Sequence, residues 1–247
     1  MASRISLVRV GAAVLGVSSA LMIGVLPAAA DTGGSSGAQS NNSSSTLSGH
    51  VIHVAQSVRV NMTYQGKERV EPADLFDFQI DSDPATVVQT YCVGFTLPLS
   101  TSVTMSQHGW NEYPDPSSPD PNSQFAANNS KINWILHHSY PNAGVTLSDL
   151  SAAAGVTPEL TADQALGATQ AAIWSFSDGA TLASDNDPAE LKLYAYLTGD
   201  ANTGVSQSTL SISPKQATGT TGKLIGPFTV STNVTGLKLS KLPTGVS

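Results

Sequence analysis

The chain has 247 residues, 40% of them hydrophobic and only 12% charged, with 18 acids against 11 bases and a formal charge of -7. A chain of that sign repels phosphate backbones, so nucleic acid is not an expected partner. The single cysteine, Cys92, has no partner for an internal disulfide, and stability must come from the core or from another covalent staple.

Residues 1–30 carry the three parts of a secretory signal. Arg4 and Arg9 give a positive start, an apolar run extends from about Val10 to Leu26, and Ala28-Ala29-Ala30 offers small residues for cleavage before Asp31. The apolar run also approaches the length of a membrane span, which leaves a retained anchor as the alternative. Cleavage removes two arginines and no acid, so an exported chain would carry a charge of -9. The expected location is extracellular, at a cell surface. Residues 31–49, mostly Gly, Ser and Asn, read as a disordered linker.

From Val51 the pattern becomes β. His53 to Tyr64 alternates around Val54, Val58, Val60 and Met62, and Leu75 to Ile80 and Val87 to Thr96 are rich in branched and aromatic residues. Between Tyr113 and Asn122 four prolines forbid helix and central strand alike, predicting a loop. Asp115 and Asp120 in that loop match no cation-binding spacing, and neither a metal nor a cofactor is expected. A helical middle follows. Lys131 to Ser139 puts Ile132, Ile135 and Leu136 on one side. Thr161 with Gln164 forms a capping box for a helix that Gly179 terminates. Asp187 caps, and Pro188 begins, a helix ending near Leu197 before Gly199.

β character returns after Thr209, in Leu210 to Pro214, Leu224 to Thr232 and the spaced leucines 237, 239 and 242. About forty residues are too few for a sandwich. The expected architecture is therefore α+β: a β-sheet or barrel core with an inserted helical subdomain over 50–208, then the start of a β-sandwich over 209–247.

Two residues carry the chemistry. An unpaired thiol outside the cell is a buried passenger, an intermolecular crosslinker, a nucleophile, or already bonded to something else. In a strand, Tyr91, Val93 and Phe95 share one face, and Thr90, Cys92 and Gly94 the other, leaving small neighbours beside the sulfur. On the helix after Thr161, Gln170 shares an apolar stripe with Leu166, Gly167, Ile173 and Trp174. Because helical side chains lean back over the preceding turn, the missing side chain of Gly167 is expected to leave room for the Gln170 amide. A glutamine in such a stripe is otherwise one whose amide is satisfied by backbone.

Tyr91-Cys92-Val93 resembles the aromatic-Cys-apolar block, and Thr169-Gln170-Ala171-Ala172-Ile173-Trp174 the Thr-Gln-x-Ala-x-Trp block, of the thioester domains of Gram-positive surface adhesins. Lys131 to Leu136 and Tyr140-Pro141 are similar to the segment between those blocks. The resemblance covers about 51–210. It implies an internal bond from the Cys92 sulfur to the Gln170 side-chain carbonyl, supported by Tyr91, Thr169 and Trp174. The compact Cys-Gly-Glu-Gln motif of complement proteins is absent.

What the resemblance implies is a secreted, adhesin-type module that captures an amine, such as a lysine of a target protein, once and covalently, in host or other attachment. Such a chain is a single-turnover binder, not an enzyme with turnover. Cell-wall attachment would be supplied by sequence beyond Ser247. His108, His137 and His138 are candidate general bases by type, but each reads first as an ordinary surface or cap histidine, and none is counted in the site. The competing readings are a secreted cysteine hydrolase built on Cys92, and a non-reactive structural or ligand-binding surface domain in which Cys92 and Gln170 merely pack.

Overall fold

A computed structural model describes residues 11–17, 20–26, 47–97, 103–108, 110, 122–142, 144–206, 210–213, 218 and 226–232. Its strands are β1 (Gly11–Val17), β2 (Ala20–Leu26), β3 (Ser48–Tyr64), β4 (Lys67–Ile80), β5 (Asp83–Cys92), β6 (Met105–His108), β7 (Thr181–Leu182), β8 (Leu210–Ser213) and β9 (Thr229–Thr232). The helices are α1 (Phe125–His138), α2 (Leu147–Ala154), α3 (Ala162–Asp178) and α4 (Pro188–Thr198). The chain divides into two compact units, one of Ala12–Leu26 and Gln39–Ser206, the other of Met1–Gly11, Pro27–Ala38 and Gln207–Ser247. In the second unit β8 and β9 pair antiparallel, from Leu210↔Thr232 to Ser213↔Thr229.

The first unit has the expected α+β composition, and its strands form an antiparallel sheet in the order β4-β5-β2-β1-β6-β3-β7, with β3 also paired to β4. β3 and β4 form a long hairpin. Gln65 (φ 50°) and Gly66 (φ 73°) turn the chain between Tyr64 and Lys67, since a two-residue hairpin loop needs left-handed backbone at both central positions. β1 and β2 fall inside the segment whose composition predicts export; β2 lies antiparallel to β5 with Met22 opposite Cys92. The expected 31–49 linker overlaps the start of β3 at Ser48, where Gly49 is buried and a Cβ on it would meet the Phe78 ring.

Alternation in β3 buries Val60, Met62 and Tyr64 and, in β4, Leu75 aside, Phe76, Phe78 and Ile80. Phe76, Phe78, Ile80, Val88, Val51 and Met105 make a core between strands, with Cys92 packed at its margin. A second core joins α1, α3 and α4 through Phe125, Ile132, Ile135, Leu166, Ile173, Leu193 and Leu197, and receives Leu75 and Tyr91 from the sheet. α3 connects it to a third, where Ala171 and Trp174 meet Val60, Met62, Tyr64 and Phe95. Every residue of α3 from Ala165 to Trp174 is buried, as in a helix enclosed on all sides.

The ends of α3 follow from local chemistry. The Thr161 hydroxyl accepts from Gln164 N, the Gln164 side chain accepts from Thr161 N, and Gly179 closes the helix in left-handed conformation at φ 74°. α4 has its Asp187 cap, Pro188 and Gly199 where the sequence puts them. Three expectations need correction. α1 starts at Phe125, earlier than the Lys131 start read from its apolar spacing, because Phe125 is a fully buried anchor. β5 stops at Cys92, so Gly94 is not in a strand; it begins a turn in which Leu97 N donates to Gly94 O, and a Cβ there would meet the Leu97 side chain. The space at Gly167 is taken by Val60, Val58 and Glu190, not by the Gln170 amide. The proline-rich 113–121 segment and the leucines 237, 239 and 242 lie outside the described residues.

Candidate functional site

β5 delivers Cys92 as its last residue and α3 delivers Gln170 at mid-length, and the two meet although they are 78 positions apart in sequence. Gln170 is fully buried. Its Nε2 donates to the Cys92 carbonyl at 2.8 Å, and its Oε1 accepts from the Cys92 backbone N–H at 3.2 Å. The side-chain amide thus pairs with one residue of strand backbone as a neighbouring strand would. Two net hydrogen bonds stabilise by about 0.5–1.5 kcal/mol each, and leaving either amide atom unpaired would cost about 1–3 kcal/mol. These contacts alone would also suit a glutamine with a purely structural task. Its partner is the chain's single cysteine.

Thr169 and Tyr91 fix the approach. The Thr169 hydroxyl donates to Ala165 O at 2.6 Å and lies 2.6 Å from Ser139 Oγ, just past the end of α1. The Tyr91 hydroxyl donates to the Tyr140 carbonyl at 2.6 Å. Burial pushes its pKa well above the ordinary phenol value, against a smaller opposing effect of the Thr169 hydroxyl beside it. Tyr140 in turn donates to Gln56 Oε1, and Gln56 Nε2 to Asp163 in the first turn of α3. The turn after α1, the strand before Cys92 and the helix bearing Gln170 are therefore tied by one polar network.

Trp174 packs edge-on against Phe95 with ring centroids 5.1 Å apart, one turn beyond Gln170, and its indole N–H has no hydrogen-bond partner among the described residues. Tyr91 and Trp174 are both buried. Cys92 as a residue is partly exposed, yet its thiol packs at the strand core. Burial, and then the Asp74 carboxylate, push that thiol up from 9.0 to about 12. Asp74 is held by the Ser57 hydroxyl.

None of the described histidines pairs with Cys92. His50 is held by Asp81, His53 by Asp77, and His138 by the Trp134 carbonyl. The pKa of His137 is lowered by burial and then by His138. The side chain of His108 lies outside the described residues. Among those residues no cluster of His, Cys, Asp and Glu could hold a metal ion. Sequence reasoning missed Ser139, Gln56 and Asp74 and gave Tyr140 no role beyond the resemblance, since each acts across a long separation; the one local signal was Asp74 within an otherwise apolar run, Ala73 to Phe76.

The fold thus brings the buried side-chain amide of α3 onto the backbone of the cysteine that ends β5. Residues 89–203 match the family model described as "TED: Thioester domain", so this segment is similar to a thioester domain. No curated protein and no solved structure matches the chain.

Proposed function

We propose that Cys92 and Gln170 close into an internal thioester and that the exported chain uses it to capture a primary amine, such as a target lysine, in a single covalent event. The observation that carries this reading is the paired contact of the Gln170 amide with the Cys92 backbone at 2.8 and 3.2 Å. In closure the Cys92 Sγ attacks Gln170 Cδ, the C–N bond breaks, and ammonia leaves with the thiol proton. In capture the amine nitrogen attacks Cδ, the C–S bond breaks, and a proton passes from nitrogen to sulfur. The product is an amide at Gln170 and a free Cys92 thiol.

A thiol raised to about 12 is a poor departing thiolate, so sulfur leaves only as it is protonated. This slows attack by water and by amines alike. An exposed lysine is neutral in roughly one case in a few thousand at pH 7, so docking must precede reaction. Held against the carbonyl, the amine gains an effective molarity on the order of 10⁵ M or more. Cleavage after Ala30 would remove β1 and β2, and with β2 the strand registered on Cys92. An adhesin role at a cell surface accords with export and with this one-shot chemistry. The hydrolase alternative is disfavoured because His50, His53 and His138 are each held by a partner other than Cys92.

Titration with iodoacetamide tests this. The unfolded but never amine-treated chain should yield no free thiol, and methylamine should release one equivalent. A fresh chain with a full equivalent of alkylatable thiol on unfolding, and no uptake of methylamine, would refute the proposal. Gln170→Ala should restore the free thiol and abolish amine uptake.

A further inference from the structure

In the chemistry proposed above, on which this inference rests, the Cys92 sulfur gives up a proton on closure and regains one when the bond opens. The sheet brings Asp74 beside it. β3 and β4 pair Ser57 with Asp74, and β4 and β5 pair Phe76 with Thr90, so the antiparallel register carried two residues further sets Asp74 opposite Cys92. Ser57, Asp74 and Cys92 thus form one row across three strands. By alternation Asp74 shares its face with Phe76 and Phe78, and Cys92 shares its face with Val88, so the row continues the core between the strands. Opposed residues of this kind have Cβ atoms roughly 4.5–5.5 Å apart, which puts a carboxylate within reach of a sulfur. Asp74 is partly buried between Ala73 and Leu75, and no lysine, arginine or histidine pairs with it among the described residues. The Ser57 hydroxyl donates to its Oδ1, while its Oδ2 makes no hydrogen bond among those residues. A partly buried carboxylate without a cation costs stability, and its charge also pushes up the neighbouring thiol.

We propose that Asp74 is the proton relay between the Cys92 sulfur and the nitrogen bound to Gln170 Cδ, with Ser57 holding the carboxylate in place. On closure Asp74 takes the thiol proton as Sγ bonds to Cδ, and it passes a proton to the nitrogen as the C–N bond breaks and ammonia leaves. On opening, the attacking nitrogen gives a proton to Asp74 as its bond to Cδ forms, and Asp74 gives one to the sulfur as the C–S bond breaks. The carboxylate ends each step as it began. Because a thiol is a far weaker acid than a carboxyl group, the proton moves together with the forming or breaking C–S bond and not ahead of it. Charge alone would act in the opposite direction, since a carboxylate beside sulfur disfavours thiolate and its removal would ease ionisation and quicken closure. Removal of a relay slows both steps.

The test follows the intact mass of the full exported chain, as wild type, Asp74→Asn and Asp74→Glu, through cell-free synthesis for loss of ammonia and then through methylamine treatment for the adduct. Asparagine keeps the size and the acceptor for Ser57 but cannot take the proton. Asp74→Asn is expected to slow both steps at least about tenfold while its denaturant midpoint stays at or above that of the wild type, and Asp74→Glu, which keeps the carboxylate, to be faster than Asp74→Asn. Asp74→Asn rates equal to the wild type would overturn the inference and leave the thioester intact. Faster rates would also overturn it, by leaving Asp74 only its charge. A Glu variant no faster than the Asn variant would count against it in the same way. Ser57 is exposed, so Ser57→Ala tests the relay without a change in the core, and a slowing of about threefold or more at an unchanged midpoint is expected. Should Asp74→Asn fail to fold, unchanged rates in Ser57→Ala would overturn the relay. A wild-type mass with no ammonia lost would overturn the thioester reading itself, and this inference with it.

Discussion

The two halves of the site are held in contrasting ways. Gln170 lies in the middle of a helix capped at both ends and buried along ten consecutive residues, Ala165 to Trp174. Cys92 is the last residue of its strand, followed directly by a turn, and is itself partly exposed. Gln170 is thus placed by tertiary packing, whereas Cys92 is placed by the strand ladder and by the glutamine amide that pairs with its backbone. In the chemistry proposed, a rigid electrophile would meet a strand-end nucleophile, so the bond could close and open without disturbing the core.

The sharpest way to break this contrast is to damage the packing on the helix side. Ile173→Ala empties a fully buried position in the core between α1, α3 and α4 and should cost about 2–5 kcal/mol in denaturant unfolding. A loss under about 1 kcal/mol would mean that α3 is not the rigid half. A smaller effect, but one closer to the chemistry, is expected of Thr169→Val. It keeps the shape while leaving the Ser139 hydroxyl short of a partner in a buried place, at about 1–3 kcal/mol. Amine capture should slow in this variant even where the fold is fully populated, because α3 loses its tie to the end of α1. Unchanged capture kinetics would show that the polar network serves stability alone.

pH distinguishes the halves more gently. The Glu190 carboxyl, whose Oε1 sits 3.1 Å from where a Cβ on Gly167 would stand, is raised from 4.5 to about 7 by burial, then by Asp187 and Asp163. Its folded pKa exceeds its unfolded one, so its contribution is complete below about 4.5 and is lost as pH rises through about 7. The melting temperature should fall modestly between pH 5 and 8, and Glu190→Gln should flatten that fall. The strand side carries the same sign in a higher window: only the amine-quenched chain, with its thiol freed, should lose stability as pH climbs from 9 toward 12. A wild-type melting curve that rises from pH 5 to 8, with the variant rising equally, would remove Glu190 from the account.

Much of this division was legible in the residues, because its determinants are local. The capping box of Thr161 and Gln164, the Gly179 stop and the Asp187-Pro188 start are chemistry within one helical turn, and the structure has each of them. The capping box of α2, Thr146 with Asp149, is equally local and was overlooked because the helix has only 8 residues. α1 was read short since Asn128, Asn129 and Ser130 are weak helix formers, and only tertiary burial of Phe125 fixes its start. The identity of the pair, Cys92 with Gln170, came from resemblance and not from periodicity. What surrounds the pair was illegible: Ser139 against Thr169, Tyr140 on Gln56 and Asp74 near Cys92 are contacts that only the folded topology creates. Gly167 shows the limit of local reasoning, since a gap in a helix face says that something approaches closely but not what, and here it is β3 and Glu190.

The most direct measurement is the intact mass of freshly purified chain that has met no amine. A deficit of one ammonia relative to the sequence, absent in Cys92→Ala and replaced by one added amine after methylamine treatment, is the predicted result. A mass equal to the sequence, unchanged by methylamine, would contradict the joining of Cys92 to Gln170.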